Sequence, residues 1–321
     1  MIDLAGWPAL VLTAGLATRL RPLSNVRAKA AMPVAGAPLV GRILTWLRQA
    51  GIRRVVLNLH HRPETITRVV GDGSPWDLEV RYSWEPQILG SAGGPRRARP
   101  LLDAERFLIV NGDTLTDCDL GALAERHIAS RPLVTMAVVP GDVARYGGAV
   151  VDANGYITGF ARATHTAPTP PGLPAPPALA VRHFIGAQAV ESRAFDDVPD
   201  DQPSETVLAL YPRLIATEPH SIAAYQSTAE FLDVGTAQDY LDTVAKIAAR
   251  EQRPFDRGSG LSIAPGGDIS ETVIWDRVTI GRDVRLHRCV VADDVTLPDG
   301  MQFEQRVIVA APHGFESVGL R

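Results

Sequence analysis

The stretch Ala9–Val34, ALVLTAGLATRLRPLSNVRAKAAMPV, decides how the rest of the chain is read. It opens as an apolar β-like run, Ala9 to Leu12, and breaks into a small-residue loop at Thr13-Ala14-Gly15. Four cations follow, Arg19, Arg21, Arg27 and Lys29, with no acid among them. A buried strand that feeds such a loop brings backbone N–H groups close to a phosphate. The charge distribution agrees. The 321-residue chain is slightly acidic, at a formal net charge of −4, yet no Asp or Glu occurs from Leu4 through Pro63, a segment holding nine Arg or Lys. That is a local field for an anion, not the general basic character of a nucleic-acid binder. The chain has two lysines, Lys29 and Lys246. Where arginine does nearly every other basic job, a lysine in this loop implies that a compact ammonium is wanted there; the alternative is an ordinary surface lysine.

Hydrophobic residues at 45% are enough for a large core, and the length fits one large domain plus a small one. Charged residues at 21% and a mean hydropathy of +0.02 describe an ordinary soluble protein. No apolar run approaches the ~18–20 residues of a membrane span. The first residues, MIDLAGWPALVL, lack the basic n-region of a secretory signal. Cys118 and Cys289, far apart in sequence, make neither a disulfide framework nor a metal site. The expectation is a cytoplasmic enzyme with no membrane contact.

Beyond the opening loop, the spacing of Leu39, Val40, Ile43, Leu44 and Leu47 predicts a helix over Pro38 to Ala50. RRVVLNLH, EVRYSW, RFLIVNGD and LVTMAVVP read as strands. PETITRVVGDG, a segment starting at GGPRRARPLL, and Leu120 to Ser130 read as helices. This alternation with short connections predicts an α/β domain, a Rossmann-like, mostly parallel sheet flanked by helices. Ligands of such sheets sit beyond the carboxyl ends of the strands, which puts Gly15, the Gly90–Gly94 turn and Asn111-Gly112-Asp113 on one rim. GGAVVD and GYITGF read as a hairpin around Asn154-Gly155. Ala163 to Ala178, with six prolines, reads as an extended mobile loop. HFIGAQAV is then a strand, SETVLALYPRLIA a helix, FLDVG a strand end and TAQDYLDTVAKIAAR a closing helix.

Residues 251–260 read as a linker between a domain at 1–250 and a smaller one at 261–321. In the latter the period changes. Val273, Val278, Val284, Val290, Val295, Met301 and Val307 are separated by five or six residues, and ETVIWDRVTIGRDVRLH overlies RCVVADDVTLPDGMQFE in phase. Two turns of a hexapeptide-type β-helix fit this pattern. A helix this short serves capping, homo-oligomer assembly or regulation.

Four segments of the large domain occur in a telling order: GLATRLRPLSNVRAKAAMPVAGAPL, EPQILGSAGG, VNGDTLTDCDL and FLDVGTAQDYL. Together they resemble the sugar-1-phosphate nucleotidyltransferases (NDP-sugar pyrophosphorylases). Gly15, Thr18, Arg19, Leu20, Pro22, Leu23, Lys29, Pro33 and Val34 match that family's signature. The likeness covers Ala9 to about Arg250, and a left-handed β-helix is a known family appendage.

The resemblance implies transfer of a nucleotidyl group from a nucleoside triphosphate to a sugar-1-phosphate, with Mg²⁺. Arg19 and Lys29 would grip the phosphates, and Thr13, Ala14 and Gly15 would offer backbone to the nucleotide. Gln87, Gly90, Ser91 and Gly93 would read the base. Asp113 and Asp233 would hold the metal, Asp113 acting with Arg19 and Lys29 in catalysis. Gly112, Tyr146, Gly147 and Gly186 would meet the sugar. The turn LGSAGG looks closest to guanylyltransferases of mannose- or heptose-1-phosphate type, which implies GTP; uridylyl transfer is the nearest variant. Glu85 reads either as a sugar or base contact or as an exposed surface carboxylate. His60 and His61, adjacent on a strand, point to opposite faces and do not share a metal.

The match departs from the family in three places. Ala17 stands where the loop usually has glycine, which strains the backbone if its φ is positive. Ala30 stands where proline usually follows the lysine. A Glu-Lys-Pro expected after the ITGF-like hairpin is replaced by Ala161-Arg162-Ala163. The missing cation would come from Arg162 or Arg182, or the sugar differs, or the chain is an inactive regulatory subunit that binds nucleotide sugars. A nicotinamide dehydrogenase needs Gly-x-Gly-x-x-Gly after the first strand, and Gly15-Leu16-Ala17-Thr18-Arg19-Leu20 lacks it.

Overall fold

The computed structural model describes residues 2–141, 143–163 and 180–320. The proline-rich segment predicted as a loop lies almost wholly outside them. The described chain divides into two compact units, one of residues 1–14, 43–60 and 71–231, the other of residues 15–42, 61–70 and 232–321.

The first unit is built on a mixed sheet. Its strands, in chain order, are β1 (Ala9–Leu12), β2 (Arg54–Leu59), β3 (Glu79–Trp84), β4 (Arg106–Asn111), β5 (Val134–Val139), β6 (Gly148–Val151), β7 (Ile157–Ala161), β8 (Ala180–Glu191) and β9 (Ile222–Gln226). They lie in the order β7-β6-β8-β4-β1-β2-β3, with β5 between β8 and β9. The run β4-β1-β2-β3 is parallel throughout. Strands β1, β2 and β4 carry unbroken apolar runs, as expected where both faces are covered, while the edge strand β3 mixes buried and exposed residues. The long strand β8 is antiparallel to β4, β5 and β6, and so adds the mixed half of the sheet. The predicted hairpin is β6-β7. Leu10, Val56, Phe107, Ile109, Val134, Val138, Phe195 and Tyr211 form the main core cluster.

The predicted helices form at Leu39–Gln49, Pro63–Val70, Gly90–Leu102, Leu120–Ser130 and Ala237–Arg250. SETVLALYPRLIA departs from the expected single helix. Thr206–Leu210 forms a π-helical turn and Tyr211–Thr217 an α-helix. Widened turns of this kind recur at functional sites.

In the second unit, residues 261–320 form a β-helix. Val273, Val290 and Val307 stack on one face, Ser262, Thr279 and Thr296 on a second, Asp268, Arg285 and Gln302 on a third, all parallel. One coil is 17 residues, the separation of the Arg282–Asp299 pair. The corners repeat at the same interval: Gly260, Arg277 and Asp294, then Gly266, Asp283 and Gly300, then Glu271, Arg288 and Gln305 all have positive φ. Ile274, Val278, Ile280, Val284, Leu286, Val291 and Val295 fill the interior. Gly314–Gly319 folds back antiparallel on Arg306–Ala311.

The same unit holds the cation-rich loop. Tyr240 of the Ala237–Arg250 helix is buried; its hydroxyl donates to the Pro33 carbonyl at 2.6 Å and accepts from Trp275 Nε1 at 3.2 Å. Asp256 accepts the Ala35 N–H at 2.7 Å and also that of Gly36. Loop, helix and β-helix are thus fastened through buried polar groups.

Candidate active site

In the first unit, the carboxyl ends of β1 and β4 lie side by side, with Leu12 opposite Asn111. The Gly112 N–H donates to the Leu12 carbonyl at 2.9 Å. A Cβ on residue 112 would run into that carbonyl and lie 2.7 Å from Thr13 Cγ2, so the turn presenting Asp113 requires glycine. Strand β8 kinks beside it. Gly186 has φ +81, and the ladder with β5 shifts register between Phe184 and Gln188. A Cβ on Gly186 would lie 2.8 Å from Thr114 Oγ1 and 3.0 Å from Asn111 Cβ. The fold therefore gathers Thr13, Gly112, Asp113 and Gly186 around one strand-end turn.

The turn after β3 leads into the Gly90–Leu102 helix, whose first N–H groups are held by residues 201–206, which the sequence marked only in part, as the start of a helix. Ala92 and Gly93 donate to the Ser204 carbonyl, at 2.9 and 3.3 Å. Ser91 Oγ donates to Glu205 Oε2 at 2.6 Å, and Gln87 Nε2 donates to the Asp201 carbonyl at 3.1 Å. A Cβ on Gly90 would stand 2.6 Å from Glu205 Oε1, and one on Gly93 2.6 Å from the Gln202 carbonyl. The candidates Gln87, Gly90, Ser91 and Gly93 are thus brought together by residues 201–206, and the carboxylate of Glu205 sits at the positive end of the helix dipole.

Burial excludes one of the two readings of Glu85. It is fully buried, not a surface carboxylate. Its Oε1 accepts from Asn58 Nδ2 at 2.8 Å and its Oε2 from the Leu89 N–H at 2.9 Å, while Asn58 Oδ1 accepts the Thr13 N–H at 2.6 Å. His60 and His61 bond to different carbonyls, those of Glu85 and Ser24.

On the β6–β8 side, Gly147 has φ +70 and packs so closely that a Cβ would meet the Ala161 carbonyl at 2.6 Å and the Arg162 carbonyl carbon at 3.4 Å. A Cβ on Gly148 would meet the Arg182 carbonyl oxygen at 2.7 Å. Both arginines therefore flank the Tyr146-Gly147 pair, Arg162 exposed and Arg182 half-buried. The Tyr146 ring lies 4.7 Å from His183 and 5.5 Å from Phe231, forming an aromatic cluster. Burial pushes the His183 imidazole below its usual range, so it is neutral near pH 7. His183 and Phe231 were legible only as flanks of the VRHF and FLDVG runs.

In the second unit, Ala17 has φ 47 and ψ 48, in the left-handed region, so alanine in place of glycine does strain this loop. Arg19 follows it on an exposed 3₁₀ turn, and Lys29 opens a second such turn, half-buried. Asp233 ends the short strand Phe231–Asp233. Thr236 then caps the next helix in a reciprocal box with Asp239, each side chain accepting the other's N–H at 3.1 Å. A Cβ on Gly235 would lie 2.7 Å from Asp233 Oδ2 and 3.1 Å from Arg19 Nη2, so acid and cation converge above a glycine cradle.

Arg27 leaves the anion field. Its Nε donates to Asp293 Oδ2 at 2.8 Å, its Nη2 reaches both Asp276 and Asp293, and its guanidinium lies 5.0 Å over the Trp275 ring. It ties the loop to the β-helix.

A resident metal can be tested against the donors. Among the described residues no three His, Cys, Asp or Glu side chains gather to hold one. Carboxylates completed by substrate phosphates and water are the shell Mg²⁺ takes, and the glycine cradle beside Asp233 keeps room next to its carboxylate.

Residues 8–250 match the family model described as nucleotidyl transferase. The chain belongs to this family. It is 29% identical over 308 residues to a mannose-1-phosphate guanylyltransferase of Mycobacterium tuberculosis, covering 92% of this chain and 83% of the relative. It is 28% identical over 289 residues to a UTP–glucose-1-phosphate uridylyltransferase of Synechocystis, covering 85% and 71%. Among solved structures, HddC from Yersinia pseudotuberculosis superposes with a TM-score of 0.62 at 22% identity, over 75% of this chain and 99% of that one. As a nucleotidyltransferase, the chain is an enzyme that acts on sugar-1-phosphates, in a family that generally uses a divalent metal. No helix among the described residues is long and apolar enough to cross a membrane.

Proposed function

We propose that this nucleotidyltransferase joins GTP to a mannose- or heptose-like sugar-1-phosphate, releasing pyrophosphate, with Mg²⁺ as its metal. The observation that carries this reading is the likeness to the mycobacterial mannose-1-phosphate guanylyltransferase along nearly the whole chain, β-helix included. A heptose-1-phosphate guanylyltransferase of Aneurinibacillus thermoaerophilus, 32% identical over 140 residues, supports the same base. Uridylyl transfer is the second reading, favoured by the Synechocystis relative.

The reaction is an in-line displacement. A phosphate oxygen of the sugar-1-phosphate attacks the α-phosphorus and forms the new P–O bond. The bond from that phosphorus to the α,β-bridging oxygen breaks, and pyrophosphate leaves with the electron pair. The nucleophile is already an anion, so positioning and charge neutralisation are the work left to the protein. In this reading Arg19 and Lys29 hold the triphosphate and the leaving pyrophosphate, and Thr13, Ala14 and Gly15 orient the nucleotide through backbone. Gln87, Gly90, Ser91 and Gly93 form the base turn. Gly112, Tyr146, Gly147 and Gly186 hold the sugar, and Arg162 or Arg182 meets its phosphate. Asp113 and Asp233 would hold Mg²⁺, which when bound supplies further neutralisation of phosphate charge.

Pyrophosphate release over a panel of GTP, UTP, ATP, CTP and dTTP, each with mannose-, heptose- and glucose-1-phosphate, tests the assignment. Highest kcat/KM with GTP and a manno-configured sugar is expected. A preference for UTP, or for glucose-1-phosphate, replaces it with the second reading.

A further inference from the structure

Three neighbouring parallel strands, β1, β2 and β3, end in a buried chain of hydrogen bonds. The Thr13 N–H donates to Asn58 Oδ1 at 2.6 Å, Asn58 Nδ2 to Glu85 Oε1 at 2.8 Å, and the Leu89 N–H to Glu85 Oε2 at 2.9 Å. Thr13 Oγ1 also donates to the Asn58 carbonyl. All four residues are buried, and Glu85 is 0% exposed. Side chains on β2 and after β3 thus join the loop after β1 to the turn that opens the Gly90–Leu102 helix.

We propose that Asn58 and Glu85 are positioning residues for the nucleotide: their relay sets the spacing between the Thr13-Ala14 loop and the Leu89–Gly93 turn. The inference rests on the nucleotide reading of those two loops. It follows from the polarity of the chain. Both ends are backbone N–H donors, which cannot change with sequence. The two side chains between them must therefore present acceptors outward and one donor–acceptor pair inward. An asparagine with its oxygen toward Thr13, followed by a carboxylate, satisfies every group. A carboxylate in this fully buried position is costly unless it is fully hydrogen-bonded, and apolar packing would hold the strand ends together without that cost. What apolar packing lacks is a fixed length and direction. Gly94 belongs to the same device, since a Cβ there would lie 2.8 Å from Glu85 Oε1 and 3.0 Å from Asn58 Nδ2.

The relay has one other arrangement that satisfies all its donors, and that supplies the test. Glu85→Gln alone turns an amide N–H₂ toward Asn58 Nδ2 or the Leu89 N–H. Asn58→Asp alone sets two carboxylates face to face. In the double variant, Asp at 58 accepts from Thr13 and from the Gln amide at 85, whose oxygen accepts from Leu89. Each single substitution is expected to raise the nucleotide KM about tenfold, the scale of a lost hydrogen bond to a charged group. The sugar-1-phosphate KM should stay unchanged, and the double variant should return to within about threefold of the parent. Equal rises in both KM values, or a folded double variant no better than the singles, overturns the proposal.

Amide hydrogen exchange without substrate separates this from failure of the functional reading. Glu85→Gln should speed exchange at Thr13 as well as at Leu89, whatever the enzyme's substrates. A change confined to the Leu89 turn overturns the coupling. Should either single variant fail to fold, the double variant alone decides by the same KM criterion.

Discussion

Replacing Arg27 by methionine removes the cation that holds the cation-rich loop on the β-helix. Three charge-assisted contacts to Asp276 and Asp293 vanish, with the stacking on Trp275. The side chains of Arg27, Asp293 and Asp276 are 15%, 10% and 29% exposed, so the carboxylates are stranded in a poorly hydrated place. Breaking a buried pair by removing one partner costs about 3–5 kcal/mol. Water reaches Asp276, and Asp293 keeps the Asp276 N–H at 3.0 Å, which places the expected loss near the lower end, about 3 kcal/mol. Against a total stability of about 5–15 kcal/mol that is a large fraction. Calorimetry should show the transition of the Arg27-bearing unit lowered by roughly 6–12 °C. Asp293→Asn, destabilising alone, should recover part of the loss in the Arg27→Met background by removing a stranded charge, giving a coupling of about 2 kcal/mol in the double-mutant cycle. The pH dependence has a definite sign. Burial opposes ionisation of Asp276, but the Ser259 N–H and Arg27 outweigh it and hold its carboxyl below the usual range. The network's contribution is present above the unfolded carboxylate pKa of about 4 and fades as pH falls through the folded value, so parent and variant should converge there. Strict additivity with Asp293→Asn, or a loss under about 1 kcal/mol, would refute the reasoning.

Ala17→Gly should stabilise the protein by about 0.5–1 kcal/mol in chemical denaturation, since relief of left-handed strain exceeds the added entropy of the unfolded chain; a loss of stability would mean the Ala17 methyl packs usefully. Burial holds the His127 imidazole down to about 4. The unfolded chain therefore takes up the proton first, and stability present above about pH 6.5 is lost as pH falls toward 4, by roughly 3 kcal/mol in all. His127→Gln should flatten that part of the stability–pH curve. Asp233→Asn should lower turnover by orders of magnitude while leaving the melting temperature near that of the parent, and near-normal rates would remove Asp233 from the metal site. Lys29→Arg should also lower kcat/KM, because the broader guanidinium does not replace a point charge in a tight loop; unchanged kinetics would make Lys29 a general cation.

Sequence alone determined what depends on short-range repetition. Alternating apolar runs and helical spacing predicted the sheet and its helices because burial on one face imposes a period on neighbouring residues. The five- and six-residue gaps predicted the β-helix because each coil repeats the environment of the last, and the phase of Val273, Val290 and Val307 is the ladder register observed. The order of four motifs carried the family. Tertiary structure decided which of two chemically equal roles a side chain takes. Arg27 and Arg19 look alike as loop cations, yet Arg27 finds Asp276 and Asp293 at separations of 249 and 266 residues. Glu85 read equally as a ligand contact or a surface acid until the ends of β2 and β3 enclosed it. Ser91 gains Glu205 from 114 residues away. No local period encodes such partners. They depend on where the folded chain brings distant segments together, and a charged side chain is paired or left for a ligand only once those neighbours are in place.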